Sequence, residues 1–156
     1  MSNLMGDAAS HMMQQNVMKE EFGWEVPVEL VPIPSNGIVY NPDNSLYKKE
    51  TIKIKAMTAR EEDILTSPAL IREGTAIDYL IKSCVIEKDV DPFDLIIGDK
   101  NALMVSIRIT GYGSKYNIVP KCDNCGKTNN ISFDLSNLGI KRLKIQPTEV
   151  GKNEFV

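Results

Sequence analysis

The chain has 156 residues, 42% of them apolar and 25% charged, with a formal charge of −3 and a sequence pI of about 5.2. That is one domain's worth of polypeptide with enough apolar material to bury a core, which excludes a mainly disordered chain, a collagen-like repeat and a coiled-coil rod. No apolar run approaches the roughly 20 residues of a membrane-crossing helix, no secretory signal is evident, and the acidic balance does not favour nucleic acid or an anionic membrane.

Residues 1–25 carry five of the seven methionines (Met1, Met5, Met12, Met13, Met18) among small polar residues, without sustained periodicity. A flexible N-terminal tail is expected, either a disordered end or a segment that orders on a partner, since methionines suit adaptable apolar contacts. In the second case Phe22 and Trp24 are the natural anchors. Residues 26–50 read as a proline-rich extended arm. Pro27, Pro32, Pro34 and Pro42 keep the residues before them out of the helical region, while Ser35-Asn36-Gly37 and Asn41-Pro42-Asp43-Asn44 signal turns. Such an arm lies along the surface of the domain or of a neighbour and offers strand-like backbone to another chain. Pro32 and Pro34 therefore join Phe22 and Trp24 as candidate partner-binding residues, and the domain is expected to fold without residues 1–34.

Residues 51–156 read as a compact α+β domain. Ile52, Ile54 and Ala56 alternate with Lys53 and Lys55, the pattern of a half-buried strand. Thr58 and Glu61 have the spacing of a capping box, which opens a helix. Ser67-Pro68 restarts it and Gly74 can end it. Thr75 is expected to cap the next helix, whose apolar stripe is Ile77, Leu80, Ile81, Cys84 and Val85. Asp91-Pro92 opens a short helix that Gly98 closes, and Asp99 caps another to about residue 110. Ala102, Leu103, Met104, Val105, Ile107 and Ile109 make that helix apolar nearly all round, as at the centre of a small bundle. After Gly111-Tyr112-Gly113, alternation in Tyr116 and Ile118 and again in Ile131, Phe133 and Leu135 predicts a β-hairpin over 114–135 with cysteines at its tip. Leu143 and Ile145 suggest one more short strand. About four short helices packed with a few antiparallel strands, segregated along the chain, make the fold class α+β.

Charge is segregated too. Residues 58–99 hold four basic and ten acidic groups, a net of −6, and residues 113–152 hold seven basic and three acidic groups, a net of +4. A dipolar surface can dock unlike partners, although acidic first turns of helices and solubilising hairpin lysines produce the same pattern.

Three cysteines, one close pair and one alone, do not make a secreted disulfide framework, so a reducing compartment is expected. The one histidine, His11, lies in the tail, so no triad-like device and no catalytic residue is expected. Glu61, Glu62 and Asp63 are consecutive and do not face one another on a helix; capping and dipole complementation account for them. Asp89, Asp91, Asp94 and Asp99 lack the spacing of a calcium loop and read mostly as helix caps. The sharpest local signal is Pro120-Lys-Cys-Asp-Asn-Cys-Gly126. Cysteines at this spacing followed by glycine form the knuckle that grips zinc, with both sulfurs turned inward and backbone amides donating to them. Zinc takes four ligands, and Cys84 and His11 are the remaining internal candidates. Cys122 and Cys125 are thus either half of a zinc site, completed by a second chain or by further sequence, or a reduced hairpin tip. A redox pair wants a helix N-terminus, which a hairpin tip does not provide.

Pro34-Ser-Asn-Gly-Ile-Val-Tyr40, Ile54-Lys-Ala-Met-Thr-Ala-Arg-Glu-Glu-Asp63 and Ser67-Pro-Ala-Leu-Ile71 together resemble the opening of the T-even-type phage baseplate protein family. The resemblance continues through Asp94-Leu-Ile-Ile-Gly-Asp-Lys-Asn-Ala-Leu103, Ile109-Thr-Gly-Tyr-Gly113, the Cys122/Cys125 turn and Phe133-Asp-Leu-Ser136, and so covers roughly residues 30–150. It implies a non-enzymatic component or assembly factor of the baseplate hub of a contractile tail. The partners it implies are other baseplate and tail proteins, with a homo-oligomer as a further option and no membrane. The location it implies is the virion tail baseplate or the infected host's cytoplasm. Members generally run on past the point where this sequence ends, so a truncated or short relative is expected. The family has no established catalytic residues, and none are carried over. The competing reading of the same residues is a zinc-ribbon-like nucleic-acid-binding module, resting on the knuckle and the +4 segment around it.

Overall fold

The computed structural model describes residues 16–19 and 25–156. Phe22, Trp24 and His11 lie outside the described residues. Strands β1 (Asn16–Lys19), β2 (Glu25–Pro32) and β3 (Thr51–Lys55) form an antiparallel sheet in the order β1-β2-β3. In β3 the alternation reads as expected: Ile52 and Ile54 are fully buried while Thr51 and Lys53 are exposed. Its outer edge is covered by the chain after the third helix. There Ile86 N donates to the Lys53 carbonyl at 3.0 Å, and the Glu87 carboxylate accepts from the Lys53 amide at 3.0 and 3.2 Å. A capped edge of this kind has no free ladder to offer another strand.

The proline-rich segment is not a surface arm. Its first part is β2, the middle strand of the sheet, paired Pro27↔Val17 on one side and Val31↔Ile52 on the other. Val31, Ile33, Val39, Tyr40 and Leu46 are buried and belong to the same core as Ile52, Ile54, Leu80, Ile81, Leu103 and Ile107. Pro32 ends β2 opposite Thr51, and both Pro32 and Pro34 are half-buried against their own domain. The prolines punctuate an extended path through the core because burial of Val31, Ile33, Val39 and Tyr40 between them outweighs the lost ladder donors. Folding without residues 1–34 is therefore not expected of this structure.

The turn that follows depends on Gly37. Its φ is +70°, and a Cβ there would stand 2.3 Å from both the Leu46 carbonyl oxygen and the Lys49 nitrogen. The Gly37 carbonyl accepts from Lys48 N at 3.0 Å, which closes the loop of residues 38–47 onto itself.

Helices α1 (Ala59–Thr66), α2 (Pro68–Glu73), α3 (Ala76–Cys84) and α4 (Ile97–Tyr112) follow, with a 3-10 turn at Pro92–Asp94 between α3 and α4 and another at Leu135–Asn137. The capping box at Thr58 and Glu61 is present, and Gly74 ends α2 in the left-handed region at φ +74°. The stripe on α3 buries Ile81 and Cys84 completely, Leu80 nearly so, and Ile77 and Val85 in part. Thr75 stands at the cap position of α3, but its hydroxyl makes no cap hydrogen bond and is buried without a partner among the described residues. Asp91 does cap the 3-10 turn, accepting from Phe93 N at 3.1 Å.

α4 begins earlier than expected. Gly98 lies inside its first turn, and Asp99 is its third residue, not its cap. The Asp99 side chain instead points into the core, for reasons given below. α4 lies against β2 and β3 as well as α3, so only Leu103 and Ile107 of its apolar residues are fully buried. Strands β4 (Lys115–Ile118) and β5 (Ile131–Asp134) make the hairpin. No strand forms at Leu143 and Ile145; both are exposed. That stretch is pinned to the 33–47 region by single contacts instead: Arg142 Nη1 donates to the Ile33 carbonyl at 3.0 Å, and Gly151 N to the Ile38 carbonyl at 2.8 Å.

Candidate functional site

Two buried acidic groups are the first places to look for chemistry, and both turn out to be structural joints. Asp99 is fully buried and accepts three hydrogen bonds, from Ser35 N at 2.9 Å, Ser35 Oγ at 2.5 Å and Tyr40 Oη at 2.7 Å. The Tyr40 hydroxyl in turn accepts from Ile96 N at 3.1 Å, one of the free amides at the start of α4. Burial, then the Asp99 hydrogen bond, pushes the Tyr40 phenol well above its usual range, so it stays a donor. Ser35, Tyr40 and Asp99 thus lock the loop after β2 to the N-terminus of α4. Nothing periodic marks them in the sequence; two lie in turns and the third mimics a helix cap.

Glu61 is the second joint. Its side chain is fully buried, and its two oxygens have separate partners. Oε1 accepts from Ser83 Oγ at 2.6 Å and faces Lys55 Nζ at 3.3 Å. Oε2 accepts from Thr58 N at 2.8 Å and from the Thr58 hydroxyl. Burial pushes this carboxyl up, but the bonds from Ser83 and Thr58 and the Lys55 ammonium outweigh it and hold it at about 2. Cys84, next to it in the core, has its thiol pushed up to about 12 by burial and by the Glu61 charge, and is inert. Other members of the acidic block also have partners within the chain. Asp78 pairs with Lys100, Glu87 with Lys49, and Glu62 accepts from Tyr112 Oη at 2.6 Å.

Among the described residues, twelve of the seventeen exposed large apolar side chains fall between Tyr112 and Val156, so the C-terminal part of the chain, not the acidic block, carries most of the adhesive surface. The hairpin shows why. Its register pairs Tyr116 with Phe133 and Ile118 with Ile131. Side chains alternate across a strand, so these four share one face, and Lys115, Asn117, Ser132 and Asp134 share the other. Among the described residues this apolar face is only partly covered: Tyr116 is 43% and Phe133 46% exposed, and Ile118 is half-buried. Arg108 on α4 braces its base, stacking over Tyr112 and Tyr116 with its carbon 4.8 and 5.8 Å from the ring centroids.

At the tip the cysteine turn is well formed. Gly126 N donates to the Cys122 carbonyl and Cys122 N to the Lys127 carbonyl, each at 2.8 Å. Gly126 takes φ +69°, the left-handed conformation that the glycine permits. Both thiols are free, Cys122 half-buried and Cys125 exposed. The amides of Cys125 and Asn124 donate to the Cys122 sulfur and, with the Cys125 thiol, hold it below its usual range. No group of three His, Cys, Asp or Glu side chains that could hold a metal exists among the described residues. The knuckle holds Cys122 and Cys125 on one turn, and Cys84 is fully buried in the core of the domain. Of the candidate partner-binding residues, Pro32 and Pro34 sit by the sheet and are not brought to this surface.

A family model described as T4 bacteriophage base plate protein matches residues 38–155. The chain belongs to that family. The match spans the loop closed by Gly37, all four helices and the cysteine hairpin, and it places this base plate protein's setting in the phage tail, among other base plate proteins. No curated protein and no solved structure matches the chain. Among the described residues, no helix of the base plate protein is long and apolar enough to cross a membrane.

Proposed function

We propose that this base plate protein is a non-enzymatic component or assembly factor of the baseplate hub, acting through the apolar surface of residues 112–156. The observation that carries the reading is the hairpin face on which Tyr116, Ile131 and Phe133 stand exposed beside half-buried Ile118. Exposed apolar patches of this kind, rimmed by polar residues, mark sites of protein association. The buried acids and the buried thiol support the non-enzymatic part, because each is already committed to holding the fold.

The test is complementation of a phage lacking the gene with Ile131→Lys and Phe133→Lys variants. Both positions are exposed, so stability should change by no more than about 0.5 kcal/mol. Assembly of complete baseplates should fail although the variants fold. Normal baseplates with either variant would remove the assembly reading. Mass spectrometry of purified particles then separates a resident subunit, which is found there, from a factor that departs. Salt-dependent DNA binding by the hairpin would instead support the nucleic-acid-binding reading.

A further inference from the structure

Four ligands in a tetrahedron are what zinc requires, and the knuckle is built for two of them. The turn is closed by two bonds of 2.8 Å, from Gly126 N to the Cys122 carbonyl and from Cys122 N to the Lys127 carbonyl, which hold both cysteines on one tight turn. The pair is reduced and reachable: apart from half-buried Cys122, every residue from Val119 to Asn130 is exposed, so the domain's own body does not crowd an approaching ligand. The third cysteine is fully buried on α3 and unavailable.

We propose that Cys122 and Cys125 bind one zinc ion together with the same two residues of a second copy, so that two hairpin tips are joined in a four-cysteine bridge. A two-fold arrangement needs only one kind of surface, used twice, and each copy brings half of the ligands. Four thiolates around Zn²⁺ carry a net charge of −2. Lys121, whose Cε lies 3.7 Å from where a Gly126 Cβ would be, and Lys127 beside the turn offset that charge in each copy. The apolar face of each hairpin, whose last pair on the tip side is Ile118 with Ile131, gives the second copy a further surface of matching character below the tip. A two-stranded hairpin has marginal stability alone, and metal binding contributes directly to the folding of such elements. The bridge goes beyond the assembly role and does not depend on it.

The experiment uses the full chain, reduced and loaded with zinc chloride. Metal content and light-scattering mass after gel filtration should give one zinc per two chains and a dimer that becomes monomeric in EDTA. Cys125→Ser should lose both metal and dimer while its unfolding midpoint stays near that of the parent protein treated with EDTA, and Cys84→Ser should keep both. Should a variant fail to fold, titration of the parent chain with Co²⁺ decides: thiolate-to-cobalt charge-transfer bands should saturate at half an equivalent. One metal per monomer, no metal at all, or a dimer that survives EDTA would each overturn the bridge. None of these results alters the baseplate complementation outcome, so the two readings fail separately.

Discussion

Replacing Glu61 by glutamine tests the account of the core most sharply. The carboxylate satisfies donors on both sides: Ser83 Oγ and Lys55 Nζ at Oε1, the Thr58 amide and hydroxyl at Oε2. A glutamine must turn its NH₂ either against the Thr58 amide or against the Lys55 ammonium, so no orientation avoids a donor facing a donor. The fold holds Glu61 at about 2 against an ordinary 4.5. At about 1.4 kcal/mol per tenfold change in proton affinity, that difference corresponds to about 3 kcal/mol of stability. Lys55 is 15% exposed, and screening by water around it lowers the working figure to about 2 kcal/mol. Because the folded value lies below the unfolded one, the contribution is fully present above pH 4.5 and fades as pH falls toward 2. Urea unfolding of parent and Glu61→Gln across pH 7 to 2.5 should show a gap of about 2 kcal/mol near neutrality that narrows through the acid range. A gap that is absent at pH 7, or constant down to pH 2.5, would refute the reasoning.

Other outcomes follow from the same structure. Gly37→Ala combines a positive φ with a Cβ placed 2.3 Å from backbone atoms of the facing strand of the loop. It should cost at least about 2–3 kcal/mol, read as a lowered urea midpoint. Asp99→Asn removes the acceptor for two hydroxyls and should cost about 3–5 kcal/mol. Tyr40→Phe should cost less, about 1.5–3 kcal/mol, because Ser35 keeps both of its bonds to Asp99. The reverse order in chemical denaturation would contradict the joint. Thr75→Ala, which elsewhere would remove a helix cap at a cost of about 1 kcal/mol, should here change stability by less than about 0.5 kcal/mol, since the hydroxyl bonds to nothing among the described residues. Deleting residues 1–32 removes the middle strand and should abolish cooperative unfolding monitored by circular dichroism.

Short-range patterns were legible where one face of an element decides its burial. Ile52 and Ile54, the stripe from Ile77 to Val85, and the alternation of Tyr116, Ile118, Ile131 and Phe133 all describe an element by itself, and all three elements form. The misreadings share a cause: tertiary contacts between distant segments. Prolines at 27 and 32 argue for exterior chain, yet Val31, Ile33 and Leu46 are buried by strands and helices far along the sequence. Asp99 looks like a cap because its neighbours are glycine and apolar residues; its true partners are 59 and 64 positions away. Leu143 and Ile145 alternate as a strand does, but no strand partner lies beside them among the described residues, and bonds from Arg142 and Gly151 hold that stretch instead. At the hairpin, the cysteine spacing located the turn, whereas the shared apolar face became visible only with the pairing register.

The joint at Asp99 has a mechanical consequence. It rivets one end of a 16-residue helix to the loop after β2, and the hairpin hangs from the other end. At 1.5 Å per residue the helix is about 24 Å long. Arg108 stiffens the elbow at Gly113 by donating to its carbonyl at 3.1 Å while stacking on the rings either side. A load applied to the cysteine tip is therefore delivered along a strut into the middle of the domain, where it meets the Ser35 and Tyr40 fastening, and is not absorbed by a slack connection.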